Sequence, residues 1–109
     1  MTVPAYLIYF CHDFRDKQGH IEYSKGIAET LGDVEIKVHV AYTKFEVLEG
    51  PENVQGVVMI EFPSYEIAKR WYDGPAYKAL RGHRIRNNYT GVLVEGGITP
   101  LLDRFPNVV

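Results

Sequence analysis

The sequence predicts an α+β domain of β-α-β-β-α-β order, an antiparallel sheet with helices on one face. Three observations carry that prediction. Tyr6 to His12 (YLIYFCH) is a short aromatic and β-branched run, apolar on both faces until its end. Glu35 to Thr43 (EIKVHVAYT) alternates apolar and polar residues, the mark of a half-exposed strand. Val57 to Leu80 joins a buried-looking strand to a capped, aromatic-rich helix, then a Gly-Pro break and a second short helical turn.

The chain has 109 residues, the size of one domain with a modest core. The segment 97–109, with two prolines, reads as a C-terminal tail. Hydrophobic content of 46% and charged content of 24% argue against disorder. A formal net charge of -2 provides no field to attract nucleic acid or an anionic membrane. Arg81, Arg84 and Arg86 form the only local basic run. The single Cys11 excludes an intrachain disulfide and a cysteine-based zinc site. Tyr6 to Cys11 is too short for a membrane span or a typical signal-peptide core, so a cytoplasmic protein is expected.

Each element follows from local chemistry. After the first strand, Asp13 to Asp16 is a polar turn suited to a helix start. From about Asp16 to Leu31, Ser24, Ile27, Ala28 and Leu31 recur at helical spacing beside Tyr23, and Gly32-Asp33 closes the helix. Gly19 and Gly26 each weaken it by ~1 kcal/mol relative to alanine, so packing must hold it. In the second strand Ile36, Val38, Val40 and Tyr42 fall on one face, with Lys37, His39 and Thr43 on the other. Lys44 to Leu48 extends it past a bend, and residues 49–53 turn the chain.

Gln55 to Phe62 is the third strand. Ser64 is the predicted N-cap of the next helix, with Glu66 in its first turn. Ile67, Ala68, Trp71 and Tyr72 mark its buried face. Asp73-Gly74-Pro75 breaks it, and Tyr77 and Leu80 continue the apolar stripe. Tyr89 to Glu95 is the last strand. The order is that of a ferredoxin-like plait. One sheet face stays uncovered and carries apolar residues that one subunit cannot bury alone, for which a symmetric partner sheet is the simplest cover.

Ala5-Tyr6, Glu22-Tyr23, Glu46-Val47-Leu48-Glu49-Gly50 and Val94-Glu95-Gly96 resemble domain of unknown function family 1330, within the dimeric α/β-barrel superfamily. The most specific part is Ile60-Glu61-Phe62-Pro63-Ser64 followed by Ala68, Trp71-Tyr72, Pro75, Tyr77 and Leu80. Cys11 to Arg15 departs from the pattern, with His12-Asp13 at the strand end, and Gly32 to Tyr42 lacks the usual glycine-rich approach. The resemblance implies a homodimer in which two sheets form a barrel with the helices outside. It also implies a small-molecule pocket between sheet and helices in each subunit. The superfamily includes cofactor-free monooxygenases, polyketide cyclases, lactone isomerases, haem-degrading enzymes and proteins with no known reaction.

Among chemistry-bearing residues His12 leads: it ends an apolar strand beside Asp13, where an oriented imidazole serves as a base near neutral pH. The structural alternative is a strand-end histidine bonded to the following turn. His39 lies mid-strand and faces a cavity, solvent or a dimer interface. Glu61 points to the face opposite Ile60 and Phe62; desolvation there would raise its pKa, whereas pairing, to Arg84 for example, would make it structural.

Tyr72, Trp71, Tyr42 and Arg84 are candidate ligand contacts, with helical packing and an exposed basic face as the competing readings. Cys11, inside a strand, is expected to be an inert buried thiol. No histidine pair has the spacing of a local metal site, and no metal or cofactor is expected. For haem, His20 or His83 would supply the ligand. The resulting expectation is an enzyme performing cofactor-independent acid–base chemistry of lyase, cyclase or isomerase type. His12 acts as base or acid, Glu61, His39 and a tyrosine as orienting groups, and the substrate is a partly apolar, polyketide-like or aromatic metabolite. The alternatives are a non-catalytic dimeric binding or interaction module, and a monooxygenase or haem-binding protein. Neither nucleic acid nor membrane is expected as a partner.

Overall fold

The computed structural model describes residues 3–13, 17–50, 53–85, 88–99 and 103, without the side chains of residues 20 and 83–85. Its elements are β1 (Ala5–Asp13), α1 (Lys17–Leu31), β2 (Lys37–Ala41), β3 (Gly56–Phe62), α2 (Tyr65–Asp73), α3 (Pro75–Ile85) and β4 (Asn88–Glu95). They form one antiparallel sheet of order β2-β3-β1-β4. This is the predicted ferredoxin-like plait. The predicted tail beyond residue 99 and the turn at residues 14–16 lie almost wholly outside the described residues.

Alternation in β1 divides the sheet into two faces. Ala5, Leu7, Tyr9 and Cys11 are buried under the helices. Tyr6, Ile8, Phe10 and His12 point the other way by the two-residue period of a strand, onto an open face. Register extends the division: Leu7 pairs with Ile60 and Leu93, whereas Ile8 pairs with Met59 and Val92. As predicted, Glu61 is opposed to its buried neighbours Ile60 and Phe62.

Three elements differ from the sequence expectation. The predicted second strand is shorter, and residues 44–48 form a loop. A bulge explains part of this: Val38 pairs with Ile60 but Val40 with the adjacent Met59, leaving His39 as the extra residue. Val40 thereby turns to the open face, away from the side that Val38 shares. Then Tyr42 takes φ 57 and ends the strand.

The second difference is α1, whose packed stripe runs through Tyr23, Ile27 and Leu31 with Gly19 buried, while Ser24 and Ala28 are exposed. The stripe is rotated toward the glycines because α3 packs there. A Cβ on Gly26 would lie 2.7 Å from Leu80 Cδ1, so the glycine that weakens the helix lets its neighbour approach. The third difference is α3 itself, an 11-residue helix where a short turn was expected. Pro75 suits its first position, and Tyr77 and Leu80 dock it on the core and α1.

Ser64 caps α2 as predicted, its Oγ accepting from the Ile67 N–H at 3.2 Å, a contact typically worth ~1 kcal/mol. The core is aromatic. Trp71 stacks at 4.1 Å on Tyr77 and 5.2 Å on Phe62. Its indole N–H donates to Thr30 Oγ1 at 2.9 Å. The Tyr77 hydroxyl bonds those of Tyr9 and Tyr23, each at 2.9 Å. No helix among the described residues is long and apolar enough to cross a membrane.

Candidate functional site on the open sheet face

His12 stands at the end of β1 on the open face, and both of its ring nitrogens are engaged. Nδ1 is 2.8 Å from the Asn53 carbonyl oxygen, and Nε2 is 2.8 Å from Thr90 Oγ1. A carbonyl only accepts, so Nδ1 carries a proton; in the neutral ring Nε2 is then the acceptor and Thr90 O–H the donor. When the ring is protonated the Thr90 hydroxyl turns to accept. The imidazole therefore keeps its position in both protonation states, as a proton-transfer group requires.

The ring lines a cavity of about 450 Å³ built from strand side chains and the loop after β2. Phe10, Val57, Phe45, Val47 and Leu48 give it apolar walls, and Glu46 and Glu49 stand among its lining residues. Glu46 to Glu49 of the Glu-Val-Leu-Glu-Gly motif thus form one wall of the His12 cavity. Tyr42 anchors the start of that loop. Its N–H donates to the Val57 carbonyl at 2.9 Å. Its ring lies where a Gly56 Cβ would come within 2.6 Å, so only glycine fits beneath it. Its hydroxyl meets that of Tyr89 at 2.8 Å. These contacts offset a backbone conformation that costs a non-glycine residue about 1–3 kcal/mol.

Glu61 and His39 meet elsewhere on the same face. The bulge aims His39 so that its Nε2 lies 2.7 Å from Glu61 Oε1. The pair borders a cleft of about 330 Å³ with Tyr6, Ile8, Met59 and Val94. Glu61 is partnered by His39; the pairing with Arg84 considered from sequence falls on a side chain outside the described ones. Glu61 pairs with Tyr6, six positions along β1 from His12, so the two sites are roughly 20 Å apart at strand spacing. Within one subunit this distance keeps Glu61 and His39, expected as orienting groups, out of contact with the His12 ring.

The remaining candidates face the helices. Tyr72 lines a cavity of about 390 Å³ between α2 and the sheet, together with Leu7, Tyr9, Tyr65, Lys69 and Tyr89. Lys69 and Arg81 approach the Tyr72 ring at 5.9 and 5.1 Å. Trp71 borders a different cavity of about 590 Å³, beside Leu31, Val34, Ile67 and Arg70, and is itself only 7% exposed. The Tyr42 hydroxyl meets that of Tyr89, which lines the first of these cavities. Burial pushes the Tyr89 and Tyr42 hydroxyls above the ordinary tyrosine range. It likewise raises the Cys11 thiol, despite bonds to Tyr89 and the Asp13 backbone, so this cysteine is a poor nucleophile.

Sequence reasoning missed Thr90 and the Asn53 carbonyl, because neither carries a local signal: they lie 78 and 41 residues from His12. The tyrosine enrichment was visible, but not which hydroxyls would meet. His20 and His83, considered as haem ligands, have side chains outside the described ones. Among the described residues no group of three or more His, Cys, Asp or Glu side chains is placed to hold a metal ion.

Comparison with solved structures finds the same fold at low identity. A protein of unknown function from Rhodopseudomonas palustris is 14% identical with TM-score 0.68, covering 92% of this chain and 86% of its own. A hypothetical protein from Arabidopsis thaliana is 12% identical with TM-score 0.60, covering 93% and 94%. A ferredoxin-like protein of unknown function from Thermobifida fusca, described as dimeric, is 7% identical with TM-score 0.57, covering 88% and 93%. No curated protein matches the chain. The chain belongs to the family described as Domain of unknown function (DUF1330), which it matches over residues 4–97.

Proposed function

From this membership and the geometry of the open face, we propose that the protein is a homodimeric enzyme of cofactor-independent acid–base chemistry, of lyase, cyclase or isomerase type. Its substrate is a small, partly apolar metabolite, polyketide-like or aromatic, and His12 is the group that takes and returns the proton. The observation that carries this reading is the tethering of the His12 ring on both nitrogens at the wall of an apolar cavity of about 450 Å³. A fixed imidazole beside apolar walls holds a carbonyl compound with its acidic C–H toward Nε2, displacing the Thr90 hydroxyl, and accepts the proton as the enolate forms.

The dimer reading draws support from the relative described as dimeric and from the open face itself, where Val92 and Val94 are 44% and 43% exposed. Sheet-to-sheet pairing would enclose the His12 cavity and the His39–Glu61 cleft, excluding water from both. In this reading His39 and Glu61 form a second carboxylate–imidazole pair rather than part of the His12 site.

A general test needs no knowledge of the natural substrate: deuterium uptake from heavy water into a panel of β-dicarbonyl compounds, followed by NMR. The wild-type protein is expected to catalyse uptake, and His12→Gln to lose it by ~10²–10⁴-fold with the dimer intact. Equal uptake by the variant would remove His12 from the chemistry. Collapse of the variant's cooperative melting would mark the residue as structural.

A second reading, passive binding of an aromatic ligand, is favoured by one observation. The helix-side cavity is lined by Tyr9, Tyr65, Tyr72 and Tyr89 with Lys69 beside them, a surface suited to an aromatic anion. Ligand-induced shifts at Tyr72 in a protein without exchange activity would select it.

A further inference from the structure

The hydrogen bonds of His12 carry more than a general base. Nδ1 is committed to the Asn53 carbonyl, and among the described residues the proton bonded to Nε2 is the one on Thr90 Oγ1, 2.8 Å away. Thr90 is exposed on β4 opposite Phe10, and its side chain is part of the same cavity wall. A hydroxyl bonded to an imidazole, itself oriented by a third group, is the arrangement that activates an oxygen nucleophile. Abstraction of a substrate C–H needs Thr90 to swing aside, whereas attack by Thr90 needs no rearrangement.

We propose that Thr90 Oγ1 is a nucleophile that accepts an acyl group, and that the cavity takes esters or thioesters with a short apolar acyl chain. This rests on the reading of His12 as the proton-transfer residue. Oγ1 forms a bond to the acyl carbon as its proton passes to Nε2; the carbon–oxygen or carbon–sulfur bond to the leaving group breaks, and Nε2 returns the proton to it. Water then attacks the acyl-threonine, giving one proton to Nε2. The acyl–Oγ1 bond breaks, the carboxylic acid leaves and the proton returns to Thr90. The apolar walls of Phe45, Val47, Leu48 and Val57 accommodate the acyl chain.

The test is to mix wild-type protein with para-nitrophenyl butyrate, quench with acid, weigh the intact chain and map the modified peptide. One butyryl group on Thr90, with a matching burst of para-nitrophenolate, is the expected result. Thr90→Ser is expected to keep the label, Thr90→Val to lose it, and His12→Gln to slow acylation by ~10²-fold or more. A label on another residue, or none, overturns the proposal, and because mapping uses the wild-type chain that result does not depend on the variants folding. Deuterium uptake into β-dicarbonyl compounds without acylation would sink the nucleophile alone. Absence of both would sink the His12 reading with it.

Discussion

The two faces of the sheet use polar groups in opposite ways. Toward the helices, tyrosine hydroxyls bond one another: Tyr77 with Tyr9 and Tyr23, and Tyr42 with Tyr89. Among the described residues no buried side-chain nitrogen or oxygen lacks a partner. On the open face His12, Thr90, His39, Glu61 and Tyr6 are set among exposed or half-buried apolar residues and border cavities. Hydroxyls that bond one another in the buried layer, as Tyr77 does with Tyr9 and Tyr23, help to hold the fold. Groups bordering unfilled space have room for a substrate. The tyrosine bonds hold the covered face, although Tyr9, Tyr72 and Tyr89 also line its cavity, and the chemistry proposed above falls to the histidine of the open face.

The largest expected effect comes from breaking the covered face at its centre. Tyr77 is 0% exposed and joins three aromatic rings and two hydroxyls. Tyr77→Ala is expected to cost about 3–5 kcal/mol, much of the stability of a domain this size, read from the denaturant midpoint. A loss under ~1 kcal/mol would mean that the hydroxyl cluster is not the keystone of that face.

A charge on the open face should act on assembly instead. If the open faces pair as proposed, Val92→Asp is expected to weaken the dimer by ~100-fold, or about 2.7 kcal/mol, in sedimentation equilibrium. Unchanged assembly would count against pairing through the open face.

The gentlest probe is alkaline titration. Burial raises the Tyr23 and Tyr89 hydroxyls above the unfolded value of about 10. Below that pH their contribution to stability is constant. Above it the unfolded chain gives up protons that the folded chain keeps, so stability falls with rising pH. Of eight tyrosines, these two are expected to develop tyrosinate absorbance only as the protein unfolds. Early titration of both would mean that water reaches the covered face.

The same contrast separates what was legible in the sequence from what was not. The opposition of Glu61 to Ile60 and Phe62 follows from the strand period and needs no tertiary knowledge. His12 was recognisable as a polar end to an apolar strand. The meeting of His39 with Glu61 was not, because it depends on a bulge that alternation conceals. The face of α1 was misread because its glycines looked like weak points and are in fact the contact side.

By itself the sequence determined the order of elements, the cap at Ser64, the break at Gly74-Pro75 and the covered side of the long strands. All of these rest on interactions within a few residues, where spacing and side-chain type suffice. Only the tertiary structure decided which polar groups meet: His12 with Asn53 and Thr90, His39 with Glu61, and Tyr77 with Tyr9 and Tyr23. Those pairs join residues 22 to 78 positions apart. Their geometry is set by strand register and helix docking, which no local pattern encodes.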